Sequence, residues 1–148
     1  MLLKKQKYSN RYFISISIIN HNLKSKSNNQ LIESVILNHD SERIGQVITN
    51  LIKNSIIAME PNTGKIDVIM ENYPNEVKIS IKDTGVGIPE DKQKDLFKKF
   101  YQVDASLTRE RGGSGLGLAI CKGIIDNHLG KITVHSILNQ GATFSFTI

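Results

Sequence analysis

Hydrophobic and polar positions along the chain follow two different periods in successive segments. Between residues 41 and 60, apolar side chains recur at intervals of three and four, which places them on one face of a helix. These residues are Ile44, Val47, Ile48, Leu51 and Ile52. Asp40 or Ser41 can cap the first turn, and turn residues at 61–64 end the pattern. The pattern therefore predicts one long amphipathic helix over residues 41–60.

Segments with a period of two surround this helix. Val77, Ile79 and Ile81 alternate with polar residues over 76–83, as in a half-buried strand, and residues 65–73 form the preceding strand. Further along, the pattern predicts a short helix over 90–97, an irregular segment over 101–114, a helix over 116–128 and closing strands over 131–137 and 142–148. Before the long helix, residues 30–37 are a strand candidate, and residues 12–19 are either a strand or a poorly ordered lead-in.

The order of these elements predicts an α+β fold. Helices that alternate with pairs of strands can cover one face of a sheet, so we expect a two-layer α/β sandwich with a mixed sheet and its helices on one face. With 148 residues, 39% of them hydrophobic, the chain fits a single globular domain. The apolar run at 12–19 is much shorter than the about 20 residues that cross a bilayer. We expect membrane attachment only through a parent chain, if at all.

The net charge of +5 comes from the N-terminal end. Residues 1–30 contain six basic residues and no acidic ones, so the remaining 13 basic and 14 acidic residues nearly cancel. We divide the chain into a basic lead-in, residues 1–29, expected to be partly disordered or a first strand, and a domain over residues 30–148. A solvated tail explains the lead-in better than a nucleic-acid surface, so we expect no nucleic-acid partner. The single cysteine, Cys121, cannot form an internal disulfide, which favours a cytoplasmic location.

The long predicted helix carries a pair of carboxamides. Asn50 and Asn54 are four residues apart, so both side chains lie on one face, at the edge of the apolar stripe. A carboxamide oxygen is a hard, neutral ligand that suits a magnesium ion already held by phosphates and water. Taken alone, the pair is better explained as ordinary polar residues at the boundary of a core.

The stretch "DTGVGIP" follows the alternating strand. Asp83 ends that strand, and its carboxylate can accept a hydrogen bond from an exocyclic amine such as that of adenine. Gly85 and Gly87 would let a flat ring approach the backbone. A tight turn after a strand explains one of these glycines well and two of them less well.

A glycine-rich stretch precedes the last predicted helix. Four of its residues are glycines: Gly112, Gly113, Gly115 and Gly117. Free backbone N–H groups and the positive end of a helix dipole together suit phosphates. Arg109 and Arg111 lie just before the glycines, where we favour a phosphate role for them over a solvated surface. The irregular segment before the helix is long enough to act as a lid.

Together these stretches resemble the ATP-binding catalytic domain of sensor histidine kinases, a Bergerat fold shared with gyrase-type topoisomerases and heat-shock chaperones. "QVITNLIKNSIIAM" resembles the N box, "DTGVGIP" the first glycine box, "LFKKFYQVD" the phenylalanine box and "GGSGLGLAI" the second glycine box. "GATFSFTI" resembles the final glycine-threonine strand of the family. The resemblance covers about residues 30–148, in the order and spacing of the family.

The resemblance implies a site for ATP with Mg2+. Asn54 would be the magnesium ligand, with Asn50 beside it on the nucleotide face, and Asp83 would hold the adenine amine, helped by Thr143 through a water. Phe97 and Phe100 would anchor the lid. The remaining residues would line the adenine pocket or face the nucleotide and its phosphates: Gly85, Gly87, Ile88, Tyr101, Gly113, Gly115, Leu116 and Gly117. The catalytic set would be Asn50, Asn54, Arg109 and Arg111.

The resemblance also implies a reaction, transfer of the γ-phosphoryl group of ATP to a histidine in two-component signalling. ATP-hydrolysing relatives use a glutamate base four residues before the magnesium asparagine, and this chain has Asn50 there. Because losing a general base costs about 10²–10⁴ in rate, transfer is favoured over hydrolysis. The four histidines have neither metal-ligand spacing nor the helical-hairpin setting of an acceptor. The expected partners are therefore a separate histidine-bearing dimerisation domain and, indirectly, a response regulator.

Two positions depart from the family pattern and support a second hypothesis. Ile57 and Gln102 stand where the family often has a cation, although Lys94, Lys98 or the two arginines can compensate. Phosphoryl transfer depends on neutralising phosphate charge, so fewer cations mean slower turnover. The alternative is a non-catalytic nucleotide-binding module whose lid regulates a partner.

Overall fold

The computed structural model describes the backbone of residues 12–20 and, with side chains, residues 40–59, 64–103 and 114–148. The strand candidate at 30–37 lies outside these ranges. The described elements, in chain order, are β1 (Tyr12–Asn20), α1 (Ser41–Met59), β2 (Gly64–Asn72), β3 (Val77–Asp83), α2 (Glu90–Gln93), α3 (Gly117–Asn127), β4 (Ile132–Ser136) and β5 (Ala142–Thr147).

The strands form one mixed sheet in the order β1-β2-β3-β5-β4, in which β1 runs parallel to β2 and the other pairs are antiparallel. α1 packs on β2 and β3, α3 contacts β4, and the two helices pack against each other. The predicted α+β sandwich is confirmed. Residues 94–97, predicted as helix, instead continue α2 as turns, in which Asp95 and Leu96 bond the carbonyls three residues earlier.

Alternation along the strands separates a core face from a polar face. Ile81 of β3 lies opposite Phe144 of β5, and both are buried beneath the helices. From α1, Val47 and Leu51 contribute fully buried side chains to the same core. On the other face the Ser80 and Ser145 hydroxyls, contributed by β3 and β5, are 2.8 Å apart.

The start of α1 is tied to the end of α3. The Asp40 carboxylate caps α1 by accepting from the Arg43 backbone N–H at 3.1 Å. The Asp40 N–H in turn donates to Nε2 of His128 at 3.2 Å, and His128 Nδ1 lies 2.7 Å from the Ile124 carbonyl oxygen. Because Nε2 accepts, Nδ1 carries the proton, and the imidazole forms a bridge between the two helices.

The apolar run at 12–19 lies within β1. Its pairing with β2 extends from Tyr12 opposite Gly64 to Asn20 opposite Asn72. The division of the chain at residue 30 stays a prediction. None of the helices in the described ranges has the length and apolarity that a membrane crossing requires.

Candidate functional site

A buried carboxylate stands at the end of β3. Asp83 is 2% exposed, and its Oδ1 accepts hydrogen bonds from the Gly85 N–H at 2.9 Å and the Ala142 N–H at 3.2 Å. Its Oδ2 accepts from the Ser55 hydroxyl of α1 at 3.1 Å. Within the described residues no cation pairs with this charge, so three neutral donors compensate its burial. A carboxylate offers about four acceptor positions, which leaves one for a ligand.

The glycines after β3 are required by the packing of the chain on itself. Gly87 has a φ of 70°, and a methyl group there would overlap the Ile137 carbonyl oxygen. A methyl group on Gly141, which has a φ of 89°, would likewise overlap the carbonyl oxygen of Asp83. A methyl group on Gly85 would come 2.8 Å from the Ala58 carbonyl oxygen of α1. The fold alone explains both Gly85 and Gly87, and their role at the border of an adenine pocket stays a prediction.

Residues after the glycines are fixed to β4. The Ile88 N–H donates to the Ser136 hydroxyl at 2.8 Å. The Gln93 carboxamide donates to the carbonyl oxygens of Ile88 and Ser136 at 2.9 and 2.8 Å. Ile88 also packs against the core, so the segment that follows the two glycines has a fixed position.

Thr143 is not brought to the Asp83 carboxylate. In the register of the sheet it lies opposite Lys82 on one side and His135 on the other. Because strand side chains alternate, these residues share the face opposite to that of Asp83. Ala142 is the β5 residue that contacts the carboxylate, through its backbone N–H. The predicted water-mediated role of Thr143 therefore does not fit this register.

The two asparagines of α1 have different surroundings. The Asn50 carboxamide hydrogen-bonds the Cys121 thiol of α3; burial raises the pKa of that thiol, and this bond partly lowers it. The Asn54 side chain is half-buried, and no side-chain hydrogen bond among the described residues engages it. The described part of the chain holds no cluster of three or more His, Cys, Asp or Glu that would form a metal cage of its own. A single free carboxamide oxygen fits Mg2+ that is held mainly by phosphates and water.

The antiparallel packing of α1 and α3 brings the predicted phosphate residues to Asn54. Asp40 contacts His128, and Asn50 contacts Cys121. One turn further along α1 is Asn54, and one turn back along α3 is its first residue, Gly117. The N–H groups of the first turn of α3 therefore lie toward the C-terminal half of α1, which carries Asn54.

Gly115, Leu116 and Gly117 are all half-buried at this helix start. The Leu116 N–H donates to the Ser114 hydroxyl at 3.3 Å. Among the described residues, none comes within 4 Å of a methyl group on Gly117, so these residues leave the space beside it open. Arg109, Arg111 and Gly113 lie outside the described residues, and their phosphate roles stay predictions.

The phenylalanine box has one anchored and one exposed phenylalanine. Phe97 and Tyr101 pack against the core, whereas the Phe100 side chain is 74% exposed, so the anchoring role of Phe100 stays a prediction. The Phe100 N–H instead donates to the Gly115 carbonyl oxygen at 2.9 Å, which joins this box to the second glycine box. Tyr101 as a nucleotide contact stays a prediction.

The lysines beside this box differ in their pairing. Lys98 forms an ion pair with Asp95 at 2.6 Å, and this contact lowers the pKa of the Asp95 carboxyl. Lys98 therefore already shares its charge with an acid and is a weaker candidate for the missing phosphate cation. Lys94 is exposed.

Ser55 is the residue of this site that the motifs did not point to. It is 1% exposed and follows Leu51 by four positions, so it lies on the apolar stripe of α1. A serine on a buried stripe is a signal available from periodicity alone. By contrast, the contact between Asn50 and Cys121 depends on how α1 and α3 pack, which no local pattern shows.

Residues 39–148 match the sequence model of the family described as histidine kinase-, DNA gyrase B- and HSP90-like ATPases. The chain belongs to this family. It is an ATP-binding domain, and its similarity to histidine kinases assigns it to the catalytic domains of the sensor histidine kinase type.

Curated histidine kinases are similar to this ATPase-family domain over a small part of their length. The signal transduction histidine-protein kinase BarA of Escherichia coli K12 is 43% identical over 114 residues, which is 74% of this chain and 12% of BarA. The sensor protein SrrB of Staphylococcus aureus is 42% identical over 109 residues, again 74% of this chain and 18% of SrrB. The chain thus spans less than a fifth of these relatives.

Solved structures agree with this assignment. The nucleotide-free catalytic domain of histidine kinase ThkA superposes with a TM-score of 0.67 at 32% identity, covering 91% of this chain and 78% of that one. ThkA in complex with the response regulator TrrA gives a TM-score of 0.65 at 30% identity, covering 91% of this chain and 34% of that one.

Proposed function

We propose that this domain binds ATP with Mg2+ and transfers the γ-phosphoryl group to a histidine on a separate dimerisation domain, within a cytoplasmic two-component pathway that ends on a response regulator. The observation that carries the proposal is the Asp83 carboxylate, which is buried, uncompensated by a cation among the described residues, and left with one acceptor position. A protein keeps such a costly group where a ligand uses it.

The base and the phosphates of the nucleotide would bind at neighbouring positions along α1. The exocyclic amine of adenine donates to the remaining acceptor position of Asp83. The phosphates lie toward Asn54 and the N–H groups at the start of α3, with Arg109 and Arg111 as further cations. Asn54 offers its carboxamide oxygen to magnesium, which when bound neutralises phosphate charge.

The site favours transfer to a nucleophile over hydrolysis. The residue in the position of a general base is Asn50, whose carboxamide cannot take a proton from water. An acceptor imidazole needs less help because it is itself a nucleophile. His128 is engaged between α1 and α3, so it is not available as an internal acceptor.

A binding experiment tests the nucleotide site. In Asp83→Asn the new carboxamide can keep accepting from Gly85 and Ala142 and can donate to Ser55, so the fold is retained. Its second N–H then faces the adenine amine, donor against donor. Because a hydrogen bond to a charged group contributes about 1.5–3 kcal/mol, we expect Mg-ATP to bind about 10–100-fold more weakly by calorimetry. Asp126→Asn, on the exposed side of α3, is the matched control. Equal affinity in both variants would refute the assignment of Asp83.

A transfer experiment separates the enzyme from a regulatory binding module. The exposed Ile57 on the nucleotide helix, where the family often has a cation, supports the second function. The domain is mixed with a histidine-bearing hairpin domain of a sensor kinase and ATP labelled on the γ-phosphate. We expect acid-labile label on the hairpin, and none when its histidine is replaced by alanine. Tight ATP binding without label at any concentration of hairpin would favour the binding module.

A further inference from the structure

The buried hydroxyl of Ser55 has a partner that no motif predicts. Serines inside helices commonly donate to the carbonyl one turn back, but the Ser55 hydroxyl donates across to Asp83 Oδ2 at 3.1 Å. A hydroxyl has a single proton, so this bond uses its whole donor capacity. A polar side chain within the buried stripe of α1 thus donates its hydrogen bond to the carboxylate of β3.

The two oxygens of Asp83 are held from different sides. Oδ1 takes the backbone N–H groups of Gly85 and Ala142, which belong to the sheet layer, and Oδ2 takes the hydroxyl from the helix layer. With Oδ1 alone held, the carboxylate could turn about that anchor. With Oδ2 also held, the plane of the group and the direction of its remaining acceptor position are fixed.

Ser55 also links the two ends of the site. It follows Asn54 directly in α1, so the residue proposed for magnesium and the residue that holds the base-binding acid are consecutive positions of one helix. The hydrogen bond from Ser55 thus fixes the Asp83 carboxylate relative to the helix backbone that also carries the Asn54 carboxamide.

We propose that Ser55 is a positioning residue that fixes the Asp83 carboxylate toward the 6-amino group of a purine nucleotide, and so makes the site select 6-amino over 6-oxo purines. This inference rests on the proposed function, because it requires that the base of ATP binds at Asp83. Ser55 itself does not touch the reacting atoms.

The test compares Mg-ATP with Mg-ITP, whose base has a carbonyl in place of the amine, so that its position 6 cannot donate to Asp83. For Ser55→Ala we expect ATP to bind about 5–20-fold more weakly and ITP to change less than twofold, so that the preference for ATP falls. The matched control is Ser80→Ala, which removes another buried, hydrogen-bonded serine on the opposite face of the sheet and should leave both affinities unchanged. Thermal unfolding of each variant records its stability.

Each outcome decides one of the two claims. A parent domain that does not bind Mg-ATP overturns the proposed function and this inference with it. A parent that prefers ATP, with the same preference in Ser55→Ala, overturns only the role of Ser55, and so does equal weakening of both nucleotides. Should Ser55→Ala not fold, Ser55→Cys replaces the hydroxyl with a slightly larger and weaker donor. There a fall in preference smaller than that expected for alanine supports the inference, and equal weakening of both nucleotides overturns it.

Discussion

The Asp83 end and the Asn54 end of the site are built differently. At the Asp83 end, a carboxylate is 2% exposed and bound by three donors from α1, the turn after β3 and β5. At the Asn54 end, the described groups are half-buried, and no other described residue fills the space beside Gly117. The first end has its geometry before any ligand arrives, whereas the second offers separate groups that a charged ligand must bring together. Folding should therefore depend mostly on the first end, and phosphate affinity on the second.

The strongest test of this difference is a methyl group at the Asp83 end. Gly141→Ala forces a side chain into positive φ and against the Asp83 carbonyl oxygen. We expect a loss of about 2–5 kcal/mol in the free energy of unfolding, measured by denaturant titration. The control is Gly123→Ala in α3, where a methyl group meets nothing within 4 Å and should stabilise the helix by up to about 1 kcal/mol. Equal stability of the two variants would contradict the comparison.

A second test removes the free carboxamide at the other end. Asn54→Ala should leave the free energy of unfolding within about 1 kcal/mol of the parent, since no hydrogen bond among the described residues is lost. We expect ATP to bind about 10–50-fold more weakly in the presence of Mg2+, with a smaller difference in EDTA. Calorimetry with and without the metal checks this. Asn127→Ala, at the exposed end of α3, is the control. A difference of the same size in EDTA would argue against Asn54 as a magnesium ligand.

A third test places a methyl group at the start of α3. Gly117→Ala should not destabilise the protein, because no described residue would contact the added methyl group and alanine favours a helix more than glycine does. The methyl group would stand beside the N–H groups proposed for the phosphates, so we expect about a threefold to tenfold loss of ATP affinity. Adenosine, which lacks phosphates, should bind as it does to the parent. Loss of adenosine affinity as well would mean that the two ends are not separable.

The smallest expected effect concerns Cys121, which connects α3 to Asn50. Burial raises the pKa of its thiol, so the folded protein binds this proton more tightly than the unfolded chain, whose thiol titrates near pH 8.5. The contribution is complete below that pH and is lost as the pH rises through the folded pKa, at no more than about 1.4 kcal/mol per pH unit. Denaturant titrations between pH 7 and 10 should show this decline in the parent relative to Cys121→Ala. Parallel profiles would show that the thiol is not protected.

Much of the Asp83 end could be predicted from the sequence. The alternation that ends at Asp83 and the two glycines that follow it are local patterns, and the structure places them together at the end of β3. The sequence also predicts where Thr143 lies, since alternation with Phe144 and Phe146 puts it on the face opposite the core. For Thr143, the alternation of the strand predicts the direction of the side chain better than the resemblance of this stretch to a family motif.

The Asn54 end could be predicted only as a set of residue types. The spacing of Asn50 and Asn54 shows that they share a face of α1, but only the packing of α3 shows that Asn50 is engaged by Cys121. No local period separates the two phenylalanines either: Phe97 packs against the core, whereas Phe100, with a φ of 62°, is exposed. Contacts between distant segments leave no period in the sequence.

The parallel pairing of β1 has a practical consequence for anyone who trims this protein. The family match begins at residue 39, and a fragment cut there would lose the nine-residue strand that covers the outer edge of β2. That edge would then expose a row of unpaired backbone N–H and C=O groups, through which copies of the fragment could pair strand to strand. Aggregation of such a fragment would result from the loss of β1 and not from a defect of the nucleotide site.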